Sequence, residues 1–254
     1  MHFEITNWML VFTRISAMLA VFPIFSSSNV PVRLRIALGA LVAVLVAPSV
    51  QGTVIGPQTG LFSVIGLMAQ EVGIGLLFGF ASRMLFYALD IAGGLISQEI
   101  GLNVAALFNP LNDGRADLPG MVLYYFAAVL FLSLDMHHWM LVGFQRSYEV
   151  LPMGTAHLGP ALLADMVART SRIFLVALQL AAPLIAVSFL ITLIFAVLGR
   201  AVPQMNVFSE SFAFRTLGGL AVFGLTLNLM AQHMLNYLRR LPEDFLRVAQ
   251  LLAR

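Results

Sequence analysis

An all-α, membrane-associated fold of about six to eight long apolar helices, broken by prolines and glycines, is predicted by three features of this sequence. Of its 254 residues 60% are apolar and only 10% charged, whereas a soluble domain needs about a quarter of its residues charged to clothe its surface. The apolar residues gather in runs, several near or beyond the roughly 20 residues that a bilayer crossing takes. Short stretches rich in Pro, Gly, Asn and Asp separate these runs, and such residues end helices. No linker or shift in composition divides the chain, so one domain, 1–254, is expected. With no cysteine, disulfides and thiolate chemistry are excluded. A net charge of +2 without a basic tract gives no reason to expect nucleic acid. All 14 basic residues are arginine, the cation that best tolerates partial burial.

The first apolar run, Trp8 to Phe25, contains Arg14 and ends near Pro23. It is preceded by His2 and Glu4 but no arginine. Without a positive leader it reads as a retained helix and not as a cleaved signal peptide. Ser26 to Pro31 form a loop, followed by Arg33 and Arg35, and the second run spans Ile36 to Val50. The third, Leu61 to Leu89, exceeds one straight crossing and holds Glu71 and Arg83. A fourth run, Met121 to Phe144, carries Asp135, His137 and His138 in its second half. A polar loop with Pro152, Gly154, His157 and Pro160 leads to the fifth run, Ile173 to Leu198, which has Pro183 at mid-run. Ala201 to Phe208 break the chain again around Pro203. The sixth run, Phe212 to Leu238, is followed by an amphipathic tail bearing Arg239, Arg240, Arg247 and Arg254.

The stretch from Asp90 to Gly120 interrupts two greasy halves. Gly94, Gln98, Gly101 and Ala105 recur at helical spacing, a stripe of small residues along which another backbone could approach. Phe108 to Gly120, with two prolines, two glycines and clustered Asn and Asp, cannot continue that helix and reads as a loop. Gly75 and Gly79 form a second small-residue contact, with Gly73 beside them.

Arg14, Glu71 and Arg83 are ionisable groups within apolar runs. Each costs about 2.5–3.5 kcal/mol at a membrane centre on insertion scales, which demands a partner or a wet cavity. Structural pairing is the expectation, with a proton path as the competing one. His137 and His138 beside Asp135 invite a metal reading, but neighbours on a helix point about 100° apart, so no metal site is expected. No nucleophile elbow, phosphate loop or zincin motif is present, and no enzyme is expected. Breaks at Pro31, Pro110, Pro119 and Pro203 are more telling. Irregular backbone at membrane depth must be buried in protein or line a wet cavity. A channel, transporter or gate is therefore favoured over a passive anchor, and a self-contained secondary transporter or proton channel stays open among these.

The distribution of arginines does not orient the chain. Alternate connections would hold Arg33, Arg35, Arg83, Arg115, Arg200 and Arg215 on one side, and Arg146, Arg169, Arg172, Arg239, Arg240, Arg247 and Arg254 on the other. Such an even split shows no positive-inside bias.

In order, Val30-Pro31 with Arg33, Gln98-x-x-Gly101, Asn109-Pro110, His137 with Trp139, Leu151-Pro152-Met153-Gly154 and Arg200-x-x-Pro203-Gln204-x-Asn206-Val207-Phe208 form a series. In this the chain resembles the FliR family of flagellar export-gate proteins, whose relatives serve virulence type III secretion as SctT-type proteins. The resemblance covers nearly the whole chain. It departs where the family has Gly-Phe-Pro and then Lys. This chain has Glu210, Ser211-Phe212-Ala213 and Arg215 there.

The resemblance implies bent helical hairpins forming one subunit of a helical pore assembly with FliP-like and FliQ-like subunits. It also implies an FlhB-like switch protein, rod or adaptor proteins above the pore, and unfolded exported proteins as substrates. The place implied is the bacterial inner membrane at the flagellar basal body, with a projection to the periplasmic side and no cofactor. The central loop, Ala106 to Pro119, becomes a pore plug with Phe108, Asn109, Pro110, Leu111, Asn112 and Asp113 at its centre. Pro31, Arg33, Gly94, Gln98, Gly101, Arg200, Pro203, Gln204, Asn206 and Phe208 become subunit-packing positions.

Overall fold

The computed structural model describes residues 5–27, 29–50, 60–102 and 117–253. Among these the structure is helical and has no strand. The helices are α1 (Ile5–Val21), α2 (Pro23–Ser26), α3 (Val32–Val46, extended by a tighter turn at Ala47–Ser49), α4 (Leu61–Glu99), α5 (Leu118–Ser133), α6 (Met136–Val150), α7 (Pro160–Ala201), α8 (Val207–Leu238) and α9 (Leu241–Leu252). By length and composition four helical stretches can cross a membrane: Val32–Ser49, Leu61–Glu99, Pro160–Ala201 and Val207–Leu252. A fifth follows if α5 and α6, bent by 73° at their junction, count as one.

The third run does not stop at Leu89. It continues as the 39-residue α4 through Asp90 to Glu99. The fifth likewise begins upstream, at Pro160, and runs 42 residues straight through Pro183. The fourth is divided instead. Asp135 takes the left-handed conformation (φ 54°) and ends one helix before the next begins. A short polar side chain makes that conformation less costly for Asp than for most residues.

The described chain packs as two compact units. Unit one draws on Met1–Met84, Phe131–Arg169 and Tyr237–Arg254. Its core joins Leu10, Ile15, Met18, Phe22, Phe78, Phe131, Phe144 and Phe245, with ring contacts of 5.2 Å for Phe22–Phe131 and 5.1 Å for Phe78–Phe245. Gly75 and Gly79 bring α4 onto α1. A Cβ on Gly75 would overlap the Arg14 carbonyl, and one on Gly79 would lie 2.7 Å from Val21 Cβ. The small-residue contact read from the sequence is therefore made inside the chain, although Gly73 faces open space. Arg169 joins α7 to α9 by donating to Asp165 and to Asp244, both at 2.5 Å, while Arg247 donates to Asp165 at 2.9 Å.

Unit two comprises Leu85–Leu130 and Thr170–Asn236. Phe86, Leu89, Ala92, Ile96, Ile100, Leu123, Ala127, Ala177, Leu180 and Leu184 are buried in it. Phe86 meets Tyr124 edge-on at 5.2 Å, and Phe195 lies 5.2 Å from Phe214.

Candidate functional site

The ends of the central loop are built with care in unit two. At the end of α4 the Leu102 amide donates to the Ser97 carbonyl at 2.9 Å, and the Gly101 amide to that of Gln98 at 3.3 Å. This is the paired hydrogen-bond pattern of a left-handed helix stop, and Gly101 has the φ of 82° that it requires. Space forbids a side chain there as well, since a Cβ on Gly101 would lie 2.5 Å from the Phe212 ring. Two further carbonyls at this end are satisfied from other helices of the unit. Ser188 Oγ donates to the Glu99 carbonyl at 3.1 Å, and Thr216 Oγ1 to that of Ile100 at 2.7 Å.

Asp117 closes the other end. Its Oδ1 accepts the Gly120 amide at 3.1 Å and the Ser97 hydroxyl at 2.5 Å. One carboxylate thus caps α5, where an acceptor for the third amide of the helix is wanted, and also ties α5 to α4. Beside it the two backbones nearly touch: a Cβ on Gly93 would overlap the Gly120 backbone. The described residues that flank 103–116, Leu102 on one side and Asp117 on the other, are therefore braced. Phe108, Asn109, Pro110, Leu111, Asn112 and Asp113 lie outside the described residues, as does Ala105.

Gly93, not its neighbour, makes the close approach. An added Cβ at Gly94 meets nothing within 4 Å, and Gln98 is exposed. Of the stripe read from the sequence, Gly94 is half-buried and Gln98 exposed beside the intrachain contact, whereas Gly101 is buried against Phe212.

The second family segment forms the α7–α8 turn, also in unit two. Asn206 caps α8, its Oδ1 accepting the Ser209 amide at 3.3 Å. Gly199 gives room to Val207, whose Cγ2 would lie 2.6 Å from a Cβ there. Arg200, Pro203, Gln204 and Asn206 are exposed, and the Phe208 ring is 73% exposed.

In unit one, two of the three charges within apolar runs meet. The Arg14 guanidinium donates to Glu71 from both Nε and Nη2, the latter at 3.0 Å, and to Ser147 Oγ from Nη1 at 3.3 Å. Both charged side chains are 0% exposed. The Tyr148 ring covers the guanidinium at 3.8 Å. A carboxylate, a hydroxyl and an aromatic face together replace the water that an arginine loses on burial. Arg83 is half-buried and donates to the Val21 carbonyl at 3.5 Å. Such a cluster ties α1, α4 and α6 together.

Pro31 starts α3, its carbonyl accepting the Leu34 and Arg35 amides. Arg33 is exposed, and it is Arg35 that closes the loop by donating to the Phe25 carbonyl at 2.9 Å. The Leu151–Gly154 segment is a pinned turn: Leu151 and Met153 are buried and Gly154 has φ 77°. At the α5–α6 bend, His138 Nδ1 lies 3.5 Å and His137 Nε2 4.0 Å from Asp135 Oδ1, with the two imidazoles 4.1 Å apart. Both histidines belong to the first turn of α6 and Asp135 lies just ahead of it, so that the three offer ligand atoms within 4.8 Å of one another.

Participants not singled out from the sequence include Ser97, Asp117, Ser188, Thr216 and Gly93 at the stem, and Ser147 and Tyr148 around Arg14. Asp117 alone left a signal, an Asp three residues ahead of Gly120 at the start of an apolar run.

A family model described as "Bacterial export proteins, family 1" matches residues 5–241. The chain is similar to the flagellar biosynthetic protein FliR of Pectobacterium carotovorum subsp. carotovorum, 30% identical over 252 residues, 96% of this chain and 95% of that protein. With FliR of Bacillus subtilis (strain 168) it shares 31% identity over 205 residues, 79% of this chain and 78% of the other. With FliR of Escherichia coli (strain K12) the identity is 26% over 236 residues, 92% and 90% of the two chains.

Proposed function

The chain belongs to the bacterial export proteins, family 1, the family of FliR, and on that premise we propose that it is a core subunit of the flagellar-type protein export gate. It is a component of a flagellar export apparatus in the bacterial inner membrane. One FliR-like domain, 1–254, joins FliP-like and FliQ-like subunits around a pore for unfolded substrates, with an FlhB-like switch protein beside it and rod or adaptor proteins above. Part of the assembly projects to the periplasmic side. The residues hold, seal and pack; the energy for export comes from elsewhere.

The observation that carries this reading is the braced stem. Gly101 and Asp117 fix both ends of residues 103–116, and a plug needs a fixed base if the apolar side chains of Phe108 and Leu111 are to close a constriction by excluding water. The exposed apolar surface supports the rest. Phe208 in unit two is 73% exposed and Leu225 82%, and Phe62 in unit one is 90% exposed. Apolar area of this extent meets lipid or sister subunits, as do the Gly94 and Gln98 positions and the Arg200–Phe208 turn.

Purification through a tag on this chain, followed by mass measurement of the intact particle, tests the proposal. A particle containing FliP-like and FliQ-like chains is expected, with the lone chain inert in liposomes. A lone chain that is stable and moves solute would identify a self-contained transporter instead.

A further inference from the structure

In unit one a cavity of about 410 Å3 opens between α6 and α9, lined by Met136, Trp139, Val142 and Gly143 on one helix, Arg146 at its end, and Arg239, Pro242, Glu243 and Leu246 across from them. Gly143 lies against Pro242, whose Cα would be 3.1 Å from a Cβ at that glycine. The floor is apolar, and the Trp139 ring is 56% exposed.

Arg14, Arg169 and Arg247 each grip a carboxylate. Among the described residues neither Arg146 nor Arg239 forms an ion pair, and both are exposed at the rim. Arg33 and Arg240 of this unit are likewise exposed and without an ion pair among the described residues, but neither lines this cavity. Two free guanidinium groups against one carboxylate, Glu243, leave the rim positive. A guanidinium forks onto phosphate oxygens in a way that an ammonium cannot. A tryptophan with one apolar and one polar edge suits the level of lipid headgroups.

We propose that this cavity is a binding site for an anionic phospholipid. The phosphodiester lies between Arg146 and Arg239, and the start of an acyl chain covers Trp139, Met136, Val142 and Leu246. An acidic protein segment is the weaker occupant. Both walls are α-helical and present no sheet edge, so an extended peptide finds no ladder to join, whereas an acyl chain needs none. α9 belongs to a stretch, Val207–Leu252, with the length and composition to cross a bilayer, and α6 meets that test together with α5, from which it bends by 73°; lipid is thereby brought within reach of the site.

The test places a photoreactive amino acid at Val142 in the full chain, within the assembled complex in its own membrane. Adducts are identified by mass and compared with the bulk lipid composition. Anionic phospholipid adducts should exceed their bulk share several-fold over phosphatidylethanolamine. The R146Q/R239Q pair should return the ratio to bulk while the complex still assembles, since both side chains face outward. R146K should retain only part of the enrichment. Adducts at the bulk ratio in the unaltered pocket would overturn the proposal, and that comparison requires no variant to fold. So would adducts to a protein chain, or enrichment that survives loss of both arginines. Adding inorganic phosphate to detergent-solubilised complex should not displace the bound lipid; displacement would mean a free-anion site and would also overturn it.

Discussion

Glu71→Gln would leave the Arg14 guanidinium fully buried without its carboxylate. Breaking a buried pair by removing one partner costs about 3–5 kcal/mol, whereas replacing both by apolar side chains is often neutral or better. Either single substitution, Glu71→Gln or Arg14→Met, should therefore lower the thermal stability of the purified complex more than Arg14→Met combined with Glu71→Leu. If the double variant is no better than the singles, the pair is not the unit that matters. The same substitution separates structure from proton relay: Glu71→Gln should impair assembly more than the proton-coupled export rate, and normal assembly with failed coupling would favour the relay. That Arg14 and Glu71 need a partner was legible, because charge within an apolar run must be compensated. That they partner each other, 57 residues apart, was not, since no periodicity links separate helices. Ser147 and Tyr148 left no signal at all, as hydroxyls occur on helices of every kind. The choice between Gly93 and Gly94 was equally closed to the sequence, because the two point about 100° apart on one helix and only the position of α5 decides between them.

At the scale of elements, the breaks were easier to read than the continuities. Pro203 and Asn206 mark the α7–α8 turn, and Gly101 marks the end of α4, each by a residue that the local backbone requires. Charge misled in the other direction. Asp90 made the third run look finished, and Arg169 with Arg172 delayed the fifth, but α4 and α7 run through these residues, with Arg169 paired to Asp165 one turn earlier. The bend at Asp135 has no proline or glycine to announce it. The stem of the central loop makes a prediction that belongs here. Asp117→Ala removes a helix cap, a loss of about 1 kcal/mol, and with it the tie to Ser97. Gly93→Val drives a side chain into Gly120. Limited proteolysis at residues 103–116 in the assembled complex should accelerate with Gly93→Val and, to a lesser degree, with Asp117→Ala. Unchanged cleavage in both would mean that the stem does not govern the loop.

The whole molecule explains why the arginine count gave no orientation. The rule concerns helix ends flanking lipid, and on the proposed reading much of the apolar surface meets sister subunits instead. Among the arginines counted, Arg169 and Arg247 are paired with internal carboxylates and report nothing about sidedness. Helical class and apolar character could be read from composition alone; the division into two packed units could not, because α4 and α7 each contribute to both. The central claim is that the chain helps to wall a passage and that its middle loop stops it. Ion conductance of the assembled gate in a planar bilayer, with and without residues 111–116, tests this most directly. Deletion of Leu111 to Ala116 should turn a closed gate into one that leaks small ions, with assembly intact. An assembled gate whose conductance is the same with and without those residues would contradict it.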